Sequence, residues 1–255
     1  MSGQFEGKVA LVTGAAGGMG RATALAFGAA GADVVVADIS AEAGEETAEL
    51  IRQAGGQAEL VATDVADAAS VESMVARAVS RFGGLDCAVN GAAIELETTR
   101  LADVADDVFD RLVAVNLRSI FLCMKHELRA MLVQGRGGAI VNIASTNSFR
   151  PQPHQSAYTA TKHGVLGMTR NAAIDYGGDG IRINAICPGA IDTPMLRAAM
   201  ERRNRDPEDV AARLSVLGRF GQPSEIAKAA LWLCSDESSF TVGHALAVDG
   251  GYLAR

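Results

Sequence analysis

Val9-Ala10-Leu11-Val12-Thr13-Gly14-Ala15-Ala16-Gly17-Gly18-Met19-Gly20 sets the pattern that the rest of the chain repeats. An apolar run of five ends on a glycine-rich turn, and an Ala-rich segment of helical composition follows over about 19–30, stopped by Gly31. A short apolar run bounded by glycine reads as a buried strand, and a glycine just past a helical pattern reads as its stop. The same strand, turn and helix then recur. Strands are expected at 33–37 (closing on Asp38), 58–62, 85–90, 139–144, 182–186 and 245–248. Helices are expected near 41–54, 68–82, 106–133, 156–176 and 223–233. One more begins at Asp206-Pro207-Glu208-Asp209, where a capping acid, a proline at the first helical position and first-turn acids coincide. Strands alternating with helices imply an α/β protein with a mostly parallel sheet covered on both faces.

The chain has 255 residues, 49% apolar and 21% charged, enough apolar side chain for a substantial core and too much for a disordered chain. No linker or repeat beyond the alternation interrupts it, so 1–255 reads as one domain. The one departure is 194–218, helical in composition but dense in charge (Arg197, Glu201, Arg202, Arg203, Arg205, Asp206), as an exposed flap would be. The formal charge of −7 and the lack of a basic stripe argue against nucleic acid. No basic leader opens the chain and no uncharged apolar run approaches the roughly 18 residues of a membrane span, so a cytoplasmic protein without membrane attachment is expected. Cys87, Cys123, Cys187 and Cys234 form no CxxC pair and sit in or beside apolar runs, which reads as four reduced, largely buried thiols. His126, His154, His163 and His244 lack ligand spacing, so no metal is expected.

The glycine turn has a chemical reading. Between a strand and a helix, Gly14, Gly18 and Gly20 permit a tight bend and close backbone approach, while the helix start at Met19 offers free N–H groups and a positive dipole end to a pyrophosphate. Asp38 closes the second strand 18 residues past Gly20, where a carboxylate can accept from both ribose hydroxyls of a dinucleotide. It would also repel the 2′-phosphate of NADP. No Lys or Arg lies within 13–20 or in Asp38-Ile39-Ser40 to offset that, so NAD is favoured. The plainer reading of Asp38 is a cap for the next helix. Asp64 and Val65, ending the third strand unit, are placed to frame the adenine.

Tyr158-Thr159-Ala160-Thr161-Lys162 falls near the start of a helix, so a phenol and an ammonium at i and i+4 share one face. A fixed positive charge favours phenolate, which makes proton exchange near neutral pH feasible. Ser145 lies just past the fifth strand, 13 residues before the tyrosine, at the strand edge where open α/β sheets bind ligands. Its hydroxyl can hydrogen-bond a substrate carbonyl or alkoxide. Alone, a YxxxK is an ordinary helix pair; the three residues together are far more specific.

These motifs make the chain similar to the classical short-chain dehydrogenase/reductase family over 7–252. Thr13, Gly14, Gly18 and Gly20 match its TGxxxGxG pattern, and Asn116, Ser145, Tyr158 and Lys162 match its catalytic tetrad. The resemblance implies a Rossmann-like, doubly wound, seven-stranded sheet. It implies Tyr158 as acid/base, Ser145 as the group orienting the reacting oxygen, and Lys162 as a nicotinamide-ribose ligand that lowers the phenol pKa. Asn116 would hold a relay water. In Pro188-Gly189-Ala190-Ile191-Asp192-Thr193 the Ile191 backbone and Thr193 hydroxyl would hold the carboxamide. A C-terminal signature at 241–244 and 249–251 implies packing between subunits, and the resemblance as a whole implies a homotetramer. One motif departs: the family's NNAG is Asn90-Gly91-Ala92-Ala93 here, keeping Asn90 as a cofactor residue but losing an amide that would brace the neighbouring strand.

The expected activity is NAD(H)-dependent interconversion of a secondary alcohol and a ketone, the cofactor supplying the hydride and the protein positioning and electrostatics. The rivals are an NADPH-linked 3-oxoacyl thioester reductase of the same family and a non-catalytic dinucleotide-binding regulator. The substrate pocket is expected from 93–97, 146–154 and the flap. Ile94, Leu96, Phe149, Met195 and Leu196 would give an apolar wall, with Thr146 beside it. Glu95, Glu97, Arg150, Gln152 and His154 would add polar contacts for a sugar or polyol, although a solvent-facing loop is the plainer place for His154.

Overall fold

The computed structural model describes residues 3–255. Among them, β1 (Val9–Thr13), β2 (Asp33–Asp38), β3 (Gln57–Ala62), β4 (Cys87–Asn90), β5 (Gly138–Ile143), β6 (Ile181–Pro188) and β7 (Ala245–Val248) form one sheet in the order β3-β2-β1-β4-β5-β6-β7. Every adjacent pair is parallel, so the sheet is wholly rather than mostly parallel. Parallel neighbours need long crossovers, and nine α-helices among the described residues supply or follow them: α1 (Gly18–Ala29), α2 (Ala41–Gln53), α3 (Ala68–Phe82), α4 (Asp106–Val113), α5 (Ser119–Gln134), α6 (Ser156–Tyr176), α7 (Pro194–Arg202), α8 (Pro207–Leu214) and α9 (Pro223–Cys234).

Alternation along the strands divides the core in two. Leu11, Val35, Ala88, Ile140 and Ile183 point to one face and pack with Met74 of α3, Leu122 and Met131 of α5, and Val165 of α6. Ala10, Val12, Val34, Val89 and Val141 point to the other and pack with Phe27 of α1, Ile51 of α2 and Ile226 of α9. All four cysteines are free and buried. Among the described residues no helix is long and apolar enough to cross a membrane.

Two elements differ from the sequence reading. The single helix expected over 106–133 is α4 and α5, joined through a π-helical turn at Ala114–Arg118. The flap is a helical pair, α7 and α8, each opening on a proline and each capped by a side chain, Thr193 and Asp206 respectively.

The sheet's order reverses between β1 and its neighbours: Thr13 pairs with Ala37 on one side and Asn90 on the other. A crevice opens at the carboxyl edge where such a reversal occurs.

Candidate active site

The glycine turn lies in that crevice. Gly14 has φ +70°, and a Cβ there would come within 2.9 Å of the Ala92 backbone. A Cβ on Gly20 would drive into the Gly14 carbonyl oxygen, so the turn closes against α1 only without side chains. Gly17 precedes α1 and no side chain caps the helix, which leaves its first-turn N–H groups without a side-chain acceptor. Gly18 lies against the Thr193 methyl, joining the turn to the segment after β6. Met19 lines the cavity described below.

Asp38 is fixed at the end of β2. Its Oδ2 accepts from the Ala16 N–H at 2.9 Å and its Oδ1 from the Ser40 N–H at 3.0 Å. Arg21, the cation nearest the turn in sequence, donates instead to the Ala43 carbonyl at 2.9 Å and pairs with Glu46 at 3.0 Å. Asp64 follows β3, its Oδ1 accepting from the Ala66 N–H at 2.9 Å, beside buried Val65.

The departing motif is braced differently from the family pattern. The Gly91 and Ala92 N–H groups donate to Thr13 Oγ1 at 3.0 and 3.3 Å, so a β1 hydroxyl holds this loop. The Asn90 side chain turns away from the crevice, donating to Glu127 Oε2 and Asn142 Oδ1 at 3.0 Å each. The Asn90 amide is thus engaged between β5 and α5, which leaves its backbone for the cofactor role expected of it.

The reacting groups converge. Ser145, in extended backbone after β5, accepts from the Asn147 N–H at 3.1 Å. Tyr158 and Lys162 stand one turn apart on α6. The Lys162 Nζ donates to the Ile143 carbonyl at 2.8 Å and lies 5.7 Å from the Tyr158 ring centre. All three line one cavity of about 230 Å³, with Pro188, Gly189, Ile191 and Thr193 on its sheet side. Thr193 Oγ1 donates to the Ile191 carbonyl and accepts from the Leu196 N–H, so the residue expected to hold a carboxamide also caps α7.

Burial acts on both titrating groups of this trio. Burial pushes the Tyr158 phenol up to about 12, a hydrogen bond with Ser145 pulling the other way and the Glu95 charge adding to the rise. Burial brings Lys162 down to about 8. Desolvation therefore opposes the charged form of both groups, although a Lys162 at about 8 stays mostly an ammonium at neutral pH beside the phenol. Asn116 is fully buried in the π turn, its Oδ1 accepting from the Ile94 N–H and its Nδ2 donating to the Ile94 carbonyl, both at 2.8 Å.

The pocket wall corrects the sequence reading in part. Thr146, Gln152, Met195 and Leu196 line the cavity with Ala199 and Met200 of α7 and Tyr252 near the C-terminus; Tyr252, with no local pattern to mark it, was not anticipated. Ile94, Leu96, Phe149 and His154 do not line it. Residues 94–97 alternate, so buried Glu95 and Glu97 turn inward while Leu96 turns out at 39% exposure. Asn116 holds the Ile94 backbone, Phe149 is exposed, and His154 sits in an exposed turn at φ +62° with Nδ1 3.1 Å from the Thr98 carbonyl oxygen. Glu95 lines the cavity but is paired with Arg202 and Arg203; Glu97 is bonded to α6.

Comparison with known proteins agrees with this geometry. The profile of the Enoyl-(Acyl carrier protein) reductase family matches residues 14–253. A short chain dehydrogenase/reductase of Aspergillus oryzae is 44% identical, covering 97% of this chain and 95% of that protein. The cyclohexanol dehydrogenase of an Acinetobacter species is 39% identical, covering 100% and 98%. The crystal structure of levodione reductase superposes with a TM-score of 0.93 at 38% identity, covering 98% of this chain and 99% of the other. A crystal structure from Agrobacterium tumefaciens assigned as a 2-deoxy-d-gluconate 3-dehydrogenase, with bound NADP, gives 0.88 at 36% identity and covers 98% of each chain. The chain belongs to the short-chain dehydrogenase/reductase family. It is a Rossmann-like oxidoreductase whose relatives act on alcohols and ketones.

Proposed function

We propose that this protein is an NAD(H)-dependent dehydrogenase that interconverts a secondary alcohol, carried on a small apolar ring, and its ketone. The carrying observation is the convergence of the Tyr158 phenol, the Ser145 hydroxyl and the Lys162 side chain on one cavity beside the glycine turn. The residues present suit a dinucleotide: a turn that a Cβ on Gly20 would obstruct, an uncapped helix start, and a carboxylate at the end of β2. When bound, the cofactor supplies the hydride acceptor or donor.

The chain's own residues do the rest. Ser145 Oγ holds the substrate oxygen by a hydrogen bond. Tyr158 takes the hydroxyl proton during oxidation and returns it during reduction. Lys162, when protonated, favours phenolate beside it and offers donors to a ribose. The apolar wall from Met195, Leu196, Ala199 and Met200 excludes water and suits a hydrocarbon ring, a reading supported by the name of the cyclohexanol-oxidising relative. Asp38, with Arg21 committed to Ala43 and Glu46, supports NAD rather than NADP, unlike the NADP-bound neighbour.

The test is a screen for reduced-cofactor formation with cyclohexanols, aliphatic secondary alcohols and polyols, run with NAD+ and with NADP+. Cyclohexanols with NAD+ are expected to give the highest kcat/KM. A preference for NADP+, or for polyols, would contradict this reading of Asp38 or of the wall.

A further inference from the structure

A carboxylate outside the reacting trio holds the catalytic helix. Glu97 is only 2% exposed, and both its oxygens are used. Oε1 accepts from the Ser156 hydroxyl and from the Ala157 N–H, each at 3.0 Å, and Oε2 accepts from the Tyr158 N–H at 2.7 Å. The residue preceding α6, Gln155, gives no side-chain cap, so the cap comes from a residue 61 positions before the tyrosine. A serine or aspartate at 155 would cap the helix locally, whereas burying a carboxylate from a distant loop costs desolvation that only complete hydrogen bonding offsets.

The segment bearing Glu97 is gripped on two further sides. Asn116 holds the Ile94 backbone from the π turn. From the flap, Arg202 bonds the Glu95 carbonyl at 2.7 Å, and Arg203 bonds Glu95 Oε1 at 2.9 Å and the Glu97 carbonyl at 2.6 Å. The charges that looked solvent-exposed in the sequence thus turn inward to fix this strap. A displacement of Glu97 would pass directly to the backbone amide of the residue carrying the phenol.

We propose that Glu97 is a positioning residue of the reaction, setting the depth at which Tyr158 stands in the cavity through its bond to the tyrosine's own N–H. The inference rests on the reading of Tyr158 as the proton-transfer group. A misplacement of an ångström in an active site can cost on the order of 100-fold in rate.

The experiment uses the full chain with NAD+ and cyclohexanol. Glu97→Gln keeps the shape but sets an NH2 against N–H donors. It is expected to lower kcat roughly 10- to 100-fold, leave the KM for NAD+ within about twofold, and raise the solvent deuterium isotope effect on kcat as proton hand-over slows. Asp67→Ala, which removes the side-chain cap of α3, is the control: it lowers the melting temperature with kcat and isotope effect unchanged. If Glu97→Gln does not fold, Ser156→Ala removes one of the three bonds and is expected to lower kcat about two- to fivefold by the same sensitivity to position. A Glu97→Gln protein that melts lower but keeps the wild-type kcat and isotope effect, or in its place a Ser156→Ala protein with wild-type kcat, overturns the proposal and leaves a stability cap. Wild-type protein inert on every alcohol of the screen, or undiminished turnover by Tyr158→Phe, instead removes the functional reading and this inference with it.

Discussion

Glu127 on α5 is fully buried, with Oε2 accepting from Asn90 and Oε1 without a partner, and the Asn90 Oδ1 is likewise unpartnered. Burial raises its carboxyl to about 7, the Asn90 hydrogen bond pulling the other way. The folded state therefore binds a proton that the unfolded chain has released between pH 4.5 and about 7. Stability falls as pH rises through that window and is level above it, by at most about 3 kcal/mol for a shift of this size. Glu127→Gln removes this titrating group, so its urea-denaturation stability is expected to lose less than the wild type's as pH rises through that window. Parallel pH dependences for the two proteins would contradict this. The neighbouring Asn142 extends the network to Thr169 of α6 at 3.0 Å, tying β4, β5, α5 and α6 beneath the reacting groups.

At the scale of elements, the approach of α1 to the first turn is the most constrained contact of the crevice. Gly20→Ala would push a methyl into the Gly14 carbonyl, forcing the turn open. It is expected to weaken NADH binding, read by cofactor fluorescence, at least tenfold, and to destabilise by about 1–3 kcal/mol, as overpacking does. Unchanged binding would contradict the assignment of this turn to the pyrophosphate. This contact was legible in the sequence because it is local: strand, glycines and helix follow one another within 9–29, and so do Tyr158 and Lys162 on one helical face. The strap was not. Glu95 and Glu97 look like polar contacts for a substrate until Arg202 and Arg203, over a hundred positions on, close over the first and α6 closes over the second. Leu96 looked like a wall residue because hydropathy marks a side chain as apolar without marking which way an extended segment turns it. The π turn at Asn116 was hidden for a related reason: α-helical periodicity continues on both sides of it, and only the pairing with Ile94 reveals the register change.

Across the molecule, large apolar side chains remain exposed away from the crevice. They include Phe240 at 103%, Ile174 at 82% and Phe121 at 52%. The family resemblance implies a homotetramer, and such side chains are the surface that self-association would cover. Sedimentation is expected to give four times the chain mass, and Phe240→Asp to release smaller species. A wild-type protein that sediments as a monomer would contradict this. At the reacting centre, the partly buried Tyr158 phenol exchanges the proton of an alcohol held by Ser145 in the proposed reaction. The most direct test of that exchange is NADH formation from cyclohexanol by wild type and Tyr158→Phe, with NADH affinity measured on both. Tyr158→Phe is expected to turn over about 100-fold or more slowly with affinity within about twofold; turnover within a few-fold of wild type would contradict the role of the phenol.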